Sequence, residues 1–286
     1  MPGWLDELVL RSDGPPWLAM GLARIDDAQW LVPDERRADE LALRRELLDR
    51  RHVDVFAALA GTEAAGAEVR ELVRDWLARF RPDLAAVAPA ALADHGDRPH
   101  HPLEEAGRLV QEDLALMVPH GERFHLDAAC LCFPSHWRLA DKVGGSAASI
   151  HGPVPGYDDE LAARVDRYLA RLRPGTISAR RNWSVHDAPD LHAPVRPPPR
   201  SLGVDDVAEG LWLRSERQTL RRLPASGAVL FTIRVQQAPL AVLTEDPVVA
   251  RRFLDRIVAQ PPALTAMNGL APHRDAVVAW LRAALR

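Results

Sequence analysis

Apolar residues recur at helical spacing in several stretches of this chain. Val69, Leu72, Val73, Trp76, Leu77 and Phe80 fall at i, i+3, i+4, i+7, i+8 and i+11, the stripe one helix face requires. Leu103, Ala106, Leu109, Val110, Leu114 and Met117 run in the same manner up to Pro119 and predict a second helix. Leu161, Val165, Tyr168, Leu169 and Leu172 predict a third, stopped by Pro174 and Gly175. Asp246-Pro247, a capping residue followed by proline, opens a fourth through Phe253, Leu254, Ile257 and Val258. Pro272 opens the last, with Val277, Trp280, Leu281 and Leu285 facing inward.

Extended runs cluster in the second half. Thr176 to Val185 is rich in strand formers, and Arg123 to Phe133 is a second candidate. Leu211 to Thr219 and Ala228 to Gln236 predict an antiparallel hairpin, with turn chemistry from Pro224, Ser226 and Gly227. Arg214, Glu216 and Gln218 then share one strand face, and Leu213, Ser215 and Arg217 the other. Strands separated by helices and ending in a hairpin predict an α+β fold. Residues 84 to 102 and the Pro-rich stretch 186 to 201 read as long exposed loops, the latter as a lid, a binding segment or a spacer.

Composition narrows the class. The chain has 286 residues, 47% of them hydrophobic and 27% charged, enough for a substantial core. A net charge of −4 offers no basic surplus to displace counterions, which argues against nucleic-acid binding. No apolar run reaches the roughly 18 residues that a membrane span needs. The N-terminus lacks the basic and apolar blocks of a secretory signal. Cys130 and Cys132, spaced C-x-C, cannot build a disulfide framework, which fits a reducing cytoplasm; buried apolar thiols explain them better than catalysis.

Candidate chemistry concentrates in CLCFPSHWRLADKVGGSAASIHGPVPGY, residues 130 to 157. Lys142 is the only lysine in a chain that otherwise uses arginine for its basic side chains, and lysine differs from arginine in being a compact point charge. His151 sits on a stiff Gly/Pro turn suited to approaching a flat cofactor or a metal, or simply to capping the turn. Paired C-x-x-C, C-x-x-C-H, H-E-x-x-H, G-x-S-x-G, the P-loop and G-x-G-x-x-G are all absent. His186 and His192, in the Pro-rich loop, are a weak zinc signal. In RRNWS and SERQTLRRLP, the charged side chains either satisfy one another as ion pairs or line a pocket for carboxylates.

Together CFPSHW…K…IHGPVPGY, RRNWS and ERQTLRRLP…VLFTIR resemble the family of haem-dependent oxidative N-demethylases, over roughly residues 15 to 285. The resemblance implies a PAS-like fold, a small antiparallel sheet flanked by several helices, enclosing haem b with its iron. One such domain would fill residues 1–286, with helical N- and C-terminal extensions. The family's type member demethylates a secondary amine such as dimethylamine with O₂ and releases formaldehyde. Its electrons come from NADPH through flavin and iron–sulfur partner subunits. Carried onto this chain, His151 becomes the axial iron ligand. Tyr157 belongs to the same cofactor-binding island, and Lys142 and Arg181 would neutralise the propionates. Glu216 and Arg217 take the distal tasks of proton delivery and amine recognition, with Trp183 shaping the pocket. After FTIR the chain reads VQQAPL, where the family pattern leads one to expect an aromatic residue. Two alternatives stand beside the enzyme: a haem-binding PAS-type sensor or small-ligand module without turnover, and a subunit that has lost haem and only scaffolds its partners.

Overall fold

Seven strands build one antiparallel sheet in the order β1-β5-β6-β7-β3-β4-β2. They are β1 (Ala23–Ile25), β2 (Phe56–Ala58), β3 (Asp113–His120), β4 (Arg123–Cys130), β5 (Ile177–His186), β6 (Trp212–Arg222) and β7 (Val229–Pro239). The computed structural model describes residues 2–9, 21–86, 100–151 and 159–286; for residues 6, 8, 9, 151, 159 and 160 it describes the backbone alone. The α+β expectation holds, with a sheet larger than the small one expected.

The hairpin of β6 and β7 is the centre of the sheet. Its register runs from Trp212 opposite Pro239 to Arg222 opposite Val229. Gly227 makes the turn at φ 71°, a left-handed conformation glycine adopts without steric cost. β5 pairs along the other side of β6, from Ile177 opposite Arg221 to His186 opposite Trp212.

Four of the helix expectations hold. Helices span Glu63–Phe80, Asp159–Arg171, Pro247–Ala259 and Arg274–Ala284. The Asp246 carboxylate caps its helix by accepting from the Val248 amide. The stripe from Leu103 to Met117 is the exception. Its helix covers only Pro102–Gly107, and residues 113–120 are β3. Leu114, Ala115, Leu116 and Met117 form a continuous apolar run buried on both sides, and such a run matches helical spacing by coincidence. The helix Arg37–Arg50, which carries Arg44, left no usable apolar stripe.

The sheet has two differently covered faces. On one, Tyr168 of the helix 159–171 donates to Ser178 of β5, and the β4 amide of Phe124 donates to Asp166. Arg222 ties that helix down further by donating to the Leu169 and Leu172 carbonyls. The second face packs against the segment 26–40 and the helices 63–80, 247–259 and 274–284. Its apolar parts form two clusters, one around Val69, Val73, Leu114 and Leu230, the other around Phe253, Leu254, Leu213 and Val277. Among the described residues no helix is long and apolar enough to cross a membrane.

Candidate functional site

The middle of the first face carries an unbroken line of polar side chains. Alternation along β6 points Arg214, Glu216 and Gln218 the same way, and β5 adds Arg180 opposite Gln218. Ser135 Oγ donates to Glu216 Oε1 at 2.5 Å, and Gln218 Nε2 donates to Glu216 Oε2 at 2.9 Å. Arg180 Nε donates to Gln218 Oε1 at 2.7 Å, and Arg214 Nε to Ser135 Oγ at 2.9 Å. The Glu216 carboxylate is thus gripped at both oxygens and flanked by guanidinium groups along the chain of bonds. Beside it on the same face lie Leu220, Phe231 and Ile233. Glu216, Arg180, Leu220 and Phe231 stay only half-buried although they belong to interior strands of the sheet. An apolar floor with charged groups at its rim suits a flat, amphipathic group bearing carboxylates.

Arg214 is fully buried and organises the loops around this line. Its guanidinium donates to the carbonyls of Phe133, Pro134, Asp190 and Leu191, fastening the CFPSHW turn to the Pro-rich loop. His136, in that turn, has φ 61°, the one positive φ outside glycine among the described residues. Its ring stacks on His186 at 4.3 Å and accepts from Arg196 Nε at 3.2 Å. Burial, then Arg196 and Arg214, depress the His136 imidazole to about 4, against the pull of Asp187. Burial, then Arg214, His136 and Arg196, depress His186 to about 2. Both rings are therefore neutral when folded, while the unfolded chain takes up protons near pH 6.5. Their contribution to stability is present above that value and is lost as pH falls toward 4. Thermal melts from pH 7 to 4.5 should show a decline that His186→Gln reduces, by up to about 1.4 kcal/mol per pH unit.

Near the helix 159–171 runs the segment 142–151. A five-residue helix, Ala147–His151, packs beside that helix and β4. Lys142 Nζ donates to the Ile150 carbonyl at 2.7 Å. His151 closes this helix; its side chain, and all of Tyr157, lie outside the described residues.

The remaining expected site residues face elsewhere. Arg217 follows Glu216 on a strand, so it projects to the second face, where it donates to the carbonyls of Gln29 and Trp30. Trp183, opposite Ser215 in register, projects there too and packs on Phe253 at 5.0 Å. Arg181 likewise turns to the second face and donates to Ser215, Gln236 and Glu7. Burial depresses its guanidinium to about 10, with Glu7 opposing. Glu216 therefore does not share a sheet face with Arg217, Trp183 or Arg181. The two-residue period of a strand forbids it.

Several residues of the site escaped sequence reasoning. Ser135 joins Glu216 only through a loop contact, whereas Gln218 and Arg180 already stand among the polar positions of β6 and β5. His192 uses Nδ1–H to donate to the Cys132 carbonyl at 2.8 Å, which leaves Nε2 buried with no partner among the described residues. Beneath the CFPSHW turn, fully buried Arg44 pairs with Asp113 at 2.7 Å. The Asp113 carboxylate also accepts from the amides of Cys132 and Phe133 at 2.7 and 3.0 Å. The two cysteines share a hydrogen bond there; it holds the Cys130 thiol below its ordinary value, aided by Arg44, while burial pushes Cys132 up. The preference for buried thiols over a catalytic pair agrees with this placement.

Comparison with known families matches residues 21–278 of the chain to a family model described as haem-dependent oxidative N-demethylase, alpha subunit-like.

Proposed function

Since this chain belongs to the haem-dependent oxidative N-demethylase alpha-subunit-like family, we propose that it binds haem b on the first sheet face and oxidatively demethylates a small secondary amine. The sheet and its flanking helices serve as a PAS-like domain spanning the chain. Bound haem iron would supply oxygen activation. One oxygen atom of O₂ ends in formaldehyde and the other in water, consuming two electrons and two protons. The electrons come from NADPH through a flavin and iron–sulfur reductase subunit.

The observation that carries this reading is the line Arg180–Gln218–Glu216–Ser135–Arg214, half-buried at Arg180 and Glu216, beside Leu220 and Phe231. His151, at the end of the neighbouring short helix, is the ligand to iron. Arg180 has the chemistry for a propionate. Glu216 has the chemistry to accept a hydrogen bond from the substrate ammonium or to pass a proton inward from Ser135. Arg217, Arg181 and Trp183 support the site from the opposite face. They fix β5 and β6 against the segment 26–40 and the C-terminal helices.

The purified protein should show an intense Soret band that shifts on reduction with dithionite and addition of CO. With a reductant and O₂ it should release formaldehyde from dimethylamine-like substrates. A Soret band without formaldehyde from any such amine would favour the sensor alternative; a colourless protein that ignores added hemin would refute haem binding. Glu216→Gln should lower turnover by about 100-fold while leaving the haem spectrum intact, because general acid–base groups contribute on that order. Equal turnover in the variant would remove Glu216 from the chemistry.

One observation favours a second ligand assignment. The His192 ring is oriented by a backbone carbonyl with its other nitrogen buried and unpartnered, an arrangement common for metal-ligating histidines.

A further inference from the structure

We propose that Lys142 is a positioning residue that fixes the peptide leading into His151, rather than a counter-ion for a propionate; this rests on the reading of His151 as the iron ligand. Its ammonium reaches eight residues along the chain to the Ile150 carbonyl at 2.7 Å. The last carbonyls of a helix have no partner within it, and among the described residues the Ile150 carbonyl accepts from Lys142 alone. A cation at that end satisfies both the orphan carbonyl and the local dipole.

The rest of the segment is already clamped. Gly144 N donates to the Leu126 carbonyl at 2.7 Å, and Leu126 N to the Gly145 carbonyl at 2.9 Å, which fastens the loop to β4. Gly145 N donates to the Lys142 carbonyl at 3.0 Å. A Cβ at Gly145 would lie 2.9 Å from both that carbonyl oxygen and Ser149 Oγ, so the turn closes this tightly only on glycine. Ser146 Oγ accepts from the Ser149 amide at 3.2 Å, and the Ser146 carbonyl from Ile150 N at 3.0 Å. One end of the segment is held by β4 and the interior by Ser146. The end that delivers His151 is held by Lys142.

Several arginines that cap backbone here spread the fork over two or more carbonyls: Arg214 those of Phe133, Pro134, Asp190 and Leu191, Arg222 those of Leu169, Leu172 and Gly227, Arg196 those of Ala266 and Met267, while Arg37, Arg200 and Arg274 each reach one. Lys142 serves the single carbonyl of Ile150. A compact ammonium on a flexible stem meets one acceptor without leaving other donors of a rigid fork to be satisfied.

The test is amide hydrogen exchange on the haem-free protein, followed by spectroscopy of the haem-loaded form, for Lys142→Met. The Ser149 and Ile150 amides are expected to exchange about tenfold faster or more, given that hydrogen bonds to charged groups are the stronger ones, with β4 amides unchanged. In the loaded protein the iron–histidine stretch of the ferrous form should shift or broaden while haem content is retained. Unchanged exchange, or a loss of haem affinity with an unaltered iron–histidine stretch, would overturn the proposal in favour of a counter-ion. If Lys142→Met fails to fold, Lys142→Gln decides: faster exchange than wild type supports the role, and equal exchange removes it. Exchange in the haem-free protein does not depend on haem, so failure of the haem reading would be recognised separately by a missing Soret band in the wild type.

Discussion

His151→Ala should lose haem: titration with hemin is expected to show affinity weakened by at least about 100-fold, the upper end of what changes to residues supporting a metal ligand cost. The reason is direct. An imidazole nitrogen bonded to iron is the strongest single contact a protein makes with a b-type haem, and the short helix 147–151 offers His151 alone for that purpose. Added imidazole should restore part of the spectrum by occupying the same coordination position. The fold should be unaffected, because the segment is clamped by Ser146, Gly145 and Lys142. An unaltered titration would transfer the ligand role to His192, and His192→Ala would then show the loss instead.

Asp113→Ala should be the most damaging single change to the scaffold. The Arg44 guanidinium is fully buried, and removal of its partner leaves an uncompensated charge, which costs roughly 3–5 kcal/mol. Two amides, of Cys132 and Phe133, lose their acceptor at the same time. Calorimetry should record a fall in melting temperature of about 10 °C, since about 1 kcal/mol corresponds to 2–4 °C for chains of this size class. Pairing the change with Arg44→Met should recover part of the loss, because the stranded charge is then gone. A melting temperature within about 1 °C of wild type would show the pair to be energetically neutral. Since the same amides launch the turn that presents Ser135 to Glu216, haem-loaded variants should also show altered turnover before they show unfolding.

The site was legible in fragments. The alternation of β6 announced that Arg214, Glu216 and Gln218 share a face, and the structure places them so. The same rule already separated Arg217 from Glu216, yet chemistry alone had grouped them; side-chain direction outranks side-chain suitability. Ser135, which completes the grip on Glu216, lies 81 positions away, and no local pattern reports such a contact. Lys142 stood out by its rarity, but the carbonyl it holds was invisible until the segment folded back on itself.

What the amino-acid order determined by itself was local: four amphipathic helices, the hairpin of β6 and β7, the α+β class, and a family membership carried by short motifs. These depend on spacing, turn chemistry and residue identity, all readable within a dozen or so positions. Tertiary structure alone decided that residues 113–120 form a strand, that the sheet has seven strands, and that Arg181 and Trp183 turn away from Glu216. An apolar run carries no periodicity to distinguish helix from strand when both its sides are buried, so the neighbours β4 and β7, available only in the folded chain, settle it.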